Sequence, residues 1–280
     1  MTDLNNKEED QKIYDGPYEV AGLNLNNNGE IFKGILYFPP KQFPKPTPLI
    51  MYFHEFPQLF PLTEIIKNYK YLLDLGYAII SVNFRGYRYS EGTISLASQV
   101  SDGLKLLKFA EKMAEKQFFL NNDLNIIAHD LGGYIALLVC AQSPLISKLL
   151  LISPLLNLKT LVEENGFAKT LNYINNLLPG NISGIENAQK FIEMTKNELS
   201  KKEFQLKHAI KNLKINHLKI ITGREDKICP PLELGIIDTY LPSEISLKKS
   251  IIKDMDHDPF EESTLFTIKK EILEFFKPSP

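Results

Sequence analysis

Asp130, Asp226 and His257 are the residues whose types and settings best suit chemistry. Asp130 sits in Ile126-Ile127-Ala128-His129-Asp130-Leu131-Gly132-Gly133, where an apolar run meets a helical pattern over 134–140. Small residues two places to either side, Ala128 and Gly132, permit a sharp strand-to-helix turn that lifts the central side chain into a cleft. The helix that follows offers free N–H groups and a positive dipole end to developing negative charge. A carboxylate placed there can serve as a nucleophile. The competing reading is an aspartate capping an ordinary tight turn.

Asp226 follows the apolar run 217–222 in Thr222-Gly223-Arg224-Glu225-Asp226-Lys227-Ile228-Cys229-Pro230-Pro231, with Glu225 as a rival acid one step away. His257 lies in Lys253-Asp254-Met255-Asp256-His257-Asp258-Pro259, among three aspartates, and as a lone histidine it could equally be a surface residue. The chain order nucleophile, acid, histidine is that of a triad in which the acid orients an imidazole and the imidazole moves a proton. All three positions fall just after strand-like runs.

The elements that must position them alternate regularly. Runs at 19–26 and 30–38, separated by Asn27-Asn28-Gly29, read as a β-hairpin. Short apolar runs follow at 49–53, 77–84, 124–128, 148–152, 217–222 and 245–252, apolar on both faces as a covered parallel sheet requires. Between them, Leu104, Leu107, Ala110, Ala114 and Phe118 recur at helical spacing, as do Leu265, Ile268, Ile272 and Phe276. This alternation predicts a doubly wound, mostly parallel α/β sheet with an N-terminal hairpin. Residues 156–216 hold helical runs, including 192–210, and no convincing strand, which predicts a helical lid inserted over the C-terminal edge of the sheet. The expected organisation is a disordered tail over 1–13, a core over 14–155, the lid over 156–216 and the rest of the core over 217–280.

Composition narrows the function classes. Thirty-two Lys and Arg against 34 Asp and Glu, a net charge of −2, give no basic surface to displace counterions from nucleic acid. The two cysteines, Cys140 and Cys229, provide neither a disulfide framework nor metal-ligand spacing, which points to a reducing, cytoplasmic setting. The polar, acidic N-terminus is unlike a signal peptide. The greasiest stretch, 146–156, is too short to span a bilayer and contains Lys148 and Pro154.

Several further segments resemble the α/β-hydrolase superfamily, over nearly the whole of residues 18–276. His54-Glu55-Phe56-Pro57 looks like its His-Gly-Phe-Pro oxyanion segment, and Asn83-Phe84-Arg85-Gly86-Tyr87-Arg88-Tyr89-Ser90-Glu91-Gly92 like its Arg-Gly-x-x-x-Ser-x-Gly loop. The resemblance implies an oxyanion hole built from the Phe56 and Leu131 N–H groups, and an Arg85 that braces its loop while Arg88 is exposed. His-Asp-x-Gly-Gly is similar to epoxide hydrolases and to haloalkane and haloacid dehalogenases, in which aspartate attacks carbon. The chain departs from them in having no Trp and a single lid tyrosine, Tyr173. The loops around Arg85 and Asp226 look more like the serine esterase, lipase and aminopeptidase branches, where Asp130 would replace a serine.

The expectation is therefore a hydrolase with Asp130 as nucleophile, His257 as base and Asp226 as orienting acid. It would act as a monomer or homodimer, without cofactor or metal, on a small, mostly apolar substrate: an epoxide, a carbon–halogen compound or an ester. His54, Glu55, His129 and Tyr173 are expected around the pocket, with Phe53, Phe56 and Phe60 as candidate lining. Glu55 stands where the resemblance expects glycine, and a carboxylate there would oppose an oxyanion unless it points away. The alternative is a weak or inactive esterase-like member that binds a ligand or a protein partner.

Overall fold

The structure, a computed structural model, describes residues 13–257 and 262–277. The expected N-terminal tail lies outside them except for Ile13, which opens the first strand.

Nine strands form one sheet: β1 (Ile13–Asp15), β2 (Tyr18–Asn27), β3 (Glu30–Tyr37), β4 (Thr47–Phe53), β5 (Ala78–Asn83), β6 (Phe119–His129), β7 (Ile146–Ile152), β8 (His217–Gly223) and β9 (Ser246–Ile252). Their spatial order is β1-β2-β3-β5-β4-β6-β7-β8-β9. β1, β2 and β3 pair antiparallel, β3 joins β5 antiparallel, and every pairing from β5 to β9 is parallel. The hairpin β2–β3 turns at Asn28 and Gly29, both at positive φ, where Asn and Gly are the residues least strained.

The helices are α1 (Leu62–Asn68), α2 (Lys70–Leu73), α3 (Leu96–Glu115), α4 (Leu131–Gln142), α5 (Leu158–Glu163), α6 (Phe167–Leu177), α7 (Ala188–Ser200), α8 (Leu206–Lys211), α9 (Gly235–Tyr240) and α10 (Glu262–Phe276). One core layer joins the sheet to α3, α4 and α8; the other joins it to α1, α2 and α10. Helices on both faces explain why the central strands are largely apolar on both faces. None of the helices, among the described residues, is long and apolar enough to cross a membrane.

The segment between β7 and β8 carries helices α5 to α8 and no named strand, with Ile182 making one isolated bridge to Tyr87. Its α8 packs in the core layer beside α4, so the last part of the expected lid belongs to the body of the fold. α3 begins six residues before the expected start at 102. Ser95 and Ser98 form a reciprocal capping box, and the Glu198 carboxylate of α7 accepts from the Leu96 and Ala97 N–H groups at 3.0 and 3.1 Å. Those four hydrogen bonds satisfy donors at the start of the helix, which apolar periodicity cannot reveal.

Arg85 braces its loop as expected. Its Nε donates to Asp102 Oδ1 at 2.7 Å, its backbone N–H to Asp102 Oδ2 at 2.9 Å, and its Nη1 to Glu30 at 2.8 Å. Asp102 is fully buried and also accepts from Asn27 at 2.8 Å, so β2, α3 and the loop after β5 meet at one carboxylate. Arg88, expected in solvent, is half-buried and donates to the Leu59 carbonyl at 2.7 Å. Removing the buried member of a charge pair strands its partner. Asp102→Ala should therefore cost about 3–5 kcal/mol in denaturant unfolding. Glu30→Ala, which removes a carboxylate with 46% of its side chain exposed, should cost no more than about 1 kcal/mol in the same measurement.

Candidate active site

Each candidate residue follows a strand of the parallel sheet at its C-terminal edge, where open α/β sheets bind ligands. Asp130 joins β6 to α4 with φ 50 and ψ −120, a backbone geometry that non-glycine residues rarely adopt. Three backbone hydrogen bonds fix it there. Its N–H donates to the Ile152 carbonyl at 3.1 Å, and its carbonyl accepts from Gly133 at 2.9 Å and Leu155 at 3.1 Å. Gly132 is obligatory, since a Cβ would collide with the carbonyl oxygens of Phe53 and His54. Asp130 is the N-cap residue of α4, but its side chain makes no capping hydrogen bond to the N–H groups of the helix's first turn beyond Leu131.

Its carboxylate faces two ways instead. Oδ2 accepts from the Phe56 N–H at 2.9 Å, and the Leu131 N–H acts on the same carboxylate. Oδ1 lies 3.6 Å from His257 Nε2. Of the two backbone donors expected for an oxyanion hole, the Phe56 N–H thus holds an oxygen of Asp130 itself.

His257 Nδ1 lies 3.2 and 3.1 Å from the two oxygens of Asp226. Asp226 is buried, and its Oδ1 also accepts from the Ile228 and Cys229 N–H groups at 3.0 and 2.7 Å. Glu225 is exposed, so Asp226 is the carboxylate of the two that faces His257. Gly223 lets this arrangement close, because a Cβ there would strike the Met255 and Asp256 carbonyls that lead to His257. Burial raises the Asp226 carboxyl, but the hydrogen bonds from His257 and Cys229 outweigh it and hold the group below its ordinary range. For Asp130 burial wins and the carboxyl is raised, against the opposing pull of His257, the Phe56 N–H and His129.

The remaining pocket expectations divide. His54 is buried away from the cavity lining: its Nε2 accepts from the Phe84 N–H at 3.3 Å, Nδ1 faces the Glu55 carbonyl at 2.9 Å, and Tyr87 meets its ring edge-on. It braces the oxyanion loop. Tyr173 lies on the outer face of α6, 66% exposed, and does not line the cavity, because helical spacing there turns Phe167, Leu171 and Ile174 inward. Phe53 is core, whereas Phe56 and Phe60 line the cavity.

Glu55 and His129 do line it, and they face each other: Glu55 Oε2 lies 3.8 Å from His129 Nδ1 and accepts from the Tyr52 hydroxyl at 3.3 Å. The Glu55 carboxylate therefore faces His129 and Tyr52. Sequence spacing carries no signal for this pair, which β4 and β6 bring together as adjacent parallel strands. The cavity holds about 1100 Å³ and is walled, mostly by apolar surface, by α1, α2, α5, α6, α7 and α10 and the loop around Phe56. Among the described residues, Asp130, Cys229 and His257 offer metal-ligand atoms within 4.8 Å of one another.

The Glu55–His129 pair has a pH signature. Burial raises the Glu55 carboxyl, but His129 and His54 more than reverse it, to about 2. Burial lowers His129, but Glu55 and then Asp130 more than reverse that, so its net shift is upward from 6.5. A depressed carboxylate stabilises the fold above its ordinary 4.5 and stops doing so as pH falls through its folded value. A raised histidine stabilises below 6.5 and stops as pH rises through its folded value. The stability advantage of the native chain over Glu55→Gln should therefore be greatest between 4.5 and 6.5 and shrink on both sides, read from thermal unfolding across pH.

A family model described as alpha/beta hydrolase fold matches residues 62–180. No curated protein matches the chain in sequence. Solved structures that it resembles include acetyl xylan esterase 1 from Thermoanaerobacterium sp. JW/SL YS485, at 14% identity and a TM-score of 0.64, covering 95% of this chain and 86% of that one. Est1E from Butyrivibrio proteoclasticus with bound ferulic acid is similar at 17% identity and a TM-score of 0.65, covering 91% of this chain and 100% of that one. The acylaminoacyl peptidase of Pyrococcus horikoshii is similar at 16% identity and a TM-score of 0.65, over 93% of this chain and 41% of its own. Sheet order, helical layers and these likenesses show that the chain has the α/β-hydrolase fold.

Proposed function

We propose that the protein is a hydrolase in which Asp130 attacks an electrophilic carbon of a mostly apolar substrate, an epoxide or a carbon–halogen compound. The observation that carries this reading is the split carboxylate: Oδ2 is anchored by the Phe56 N–H at 2.9 Å while Oδ1 stands at the cavity wall, 3.6 Å from His257. A serine hydroxyl at this position would leave the hole open for a substrate oxyanion. Here the hole is filled by the nucleophile, which suits a reaction whose oxyanion forms on the enzyme's own carboxyl group.

The steps balance. Oδ1 attacks carbon, the bond to the leaving atom breaks with its electron pair, and an alkyl ester of Asp130 forms. His257 then takes a proton from water through Nε2, while Asp226 holds Nδ1 and stabilises the imidazolium. The water oxygen attacks the Asp130 carboxyl carbon, and negative charge develops on Oδ2 against the Phe56 and Leu131 N–H groups. Collapse releases the alcohol, protonated from His257, and regenerates the carboxyl group. Attack on an ester carbonyl would instead give an anhydride, a poor route to hydrolysis. The cavity of about 1100 Å³ has room for a substrate larger than the small molecule the sequence alone implies.

A second reading, an esterase-like member whose pocket binds ligand without turnover, draws on the likeness to an acetyl xylan esterase. Intact mass of His257→Ala after incubation with pooled epoxides, haloalkanes and haloacids separates the two. The nucleophile reading predicts a stable adduct that maps to Asp130 and is absent from Asp130→Asn. No adduct from any pool favours the second.

A further inference from the structure

We propose that His129, held by Glu55, is the acid that protonates the leaving oxygen of an epoxide substrate; this rests on Asp130 acting as the nucleophile. Ring opening releases an alkoxide, a strongly basic leaving group that needs a proton donor close to the attacked carbon. Such a donor has to line the cavity beside Asp130, carry a proton and have a free hydrogen-bonding atom.

Among the described residues His129 combines these features. It precedes Asp130 and lines the cavity, yet is 92% buried by the 8% exposure of the residue. Nδ1 faces the Glu55 carboxylate at 3.8 Å, which leaves Nε2 as the ring's second nitrogen, and Nε2 is buried without a hydrogen-bond partner. An unpaired buried polar atom is costly in a site that only packs, and is explained when a ligand completes it.

The neighbours sort the roles. The His129 and His257 rings stack, with centroids 5.8 Å apart and planes at 25°. Each is backed by its own carboxylate, Glu55 for one and Asp226 for the other, and Asp130 lies beside both. His257 meets Asp130 Oδ1 through Nε2 and is placed to activate water; His129 does not occupy that position. The charged and titratable groups facing His129 are Glu55, Asp130 and His257, and the two carboxylates favour its protonated form. The rival donors are phenols. Tyr52 spends its hydroxyl on Glu55, Tyr69 sits against Tyr52, and burial pushes both to weaker acidity. Tyr173 is in solvent.

The step is balanced. Asp130 Oδ1 bonds to an oxirane carbon, that carbon–oxygen bond breaks with its electron pair on oxygen, and the oxygen takes the proton from His129 Nε2. His129 is left neutral. After the ester is hydrolysed, the proton of the regenerated Asp130 carboxylic acid returns to His129. The net reaction is epoxide plus water to diol. Glu55 acts through His129, as a positioning residue that keeps it charged.

The test uses leaving groups of opposite demand. Single-turnover alkylation of Asp130 is followed by intact mass in His257→Ala, with an epoxide and with an alkyl bromide of matched carbon skeleton. Bromide leaves without a proton. Adding His129→Asn should slow alkylation by the epoxide roughly 100-fold or more relative to the bromide. Adding the near-isosteric Glu55→Gln should shift the same ratio by about 10-fold or more, since the acid keeps its place and loses its charge partner. A ratio unchanged in both variants overturns the proposal, and a general loss of rate on both substrates is that unchanged ratio. If His257→Ala itself forms no adduct with either compound, the nucleophile reading falls and this proposal with it.

Discussion

The site depends on burying a carboxylate at the end of β6. Asp130 is 3% exposed, and a charge that deep is tolerated only with donors or opposite charge around it. The Phe56 N–H takes one oxygen, and His257 stands beside the other. His129 adds a third favourable influence from behind. Each supporter then needs its own support: Asp226 for His257, Glu55 for His129, His54 for the loop that carries Phe56. Two imidazoles and three carboxylates form one electrostatic unit, so no member can be read alone.

Backbone geometry is what makes that unit fit. Asp130 occupies a strained conformation, secured by three hydrogen bonds from β7 and α4. Gly132 and Gly223 allow the loops after β4 and β9 to approach closer than any side chain would permit. The rigid part is the sheet, and the side chains of the candidate site stand on the loops that follow it. That division places strain at the candidate site and stability in the apolar layers on either face.

Much of this was legible in the sequence. Apolar runs and helical spacing identified every strand from β2 to β9, and the small residues around Asp130 marked the turn. The chain order of Asp130, Asp226 and His257 pointed to loops that the fold does bring together. What escaped was set by contacts between distant residues. The start of α3 depends on Glu198, about a hundred residues further on. Tyr173 was placed by its segment, whereas its orientation depends on which face of α6 packs. Glu55 read alone was a misplaced charge beside an oxyanion hole. Across β4 and β6 it is paired with His129. A linear reading finds residues that share a segment and misses pairs made by a sheet.

The claim at the centre is that the oxygen delivered to substrate comes from Asp130. A single turnover of the native enzyme in water enriched in oxygen-18, with enzyme in excess over an epoxide it hydrolyses, tests it directly. The account predicts that the diol released carries no label and that the heavy isotope appears in the peptide containing Asp130. Label in the first-turnover diol, with Asp130 unlabelled, would mean that water attacks substrate directly and would contradict it.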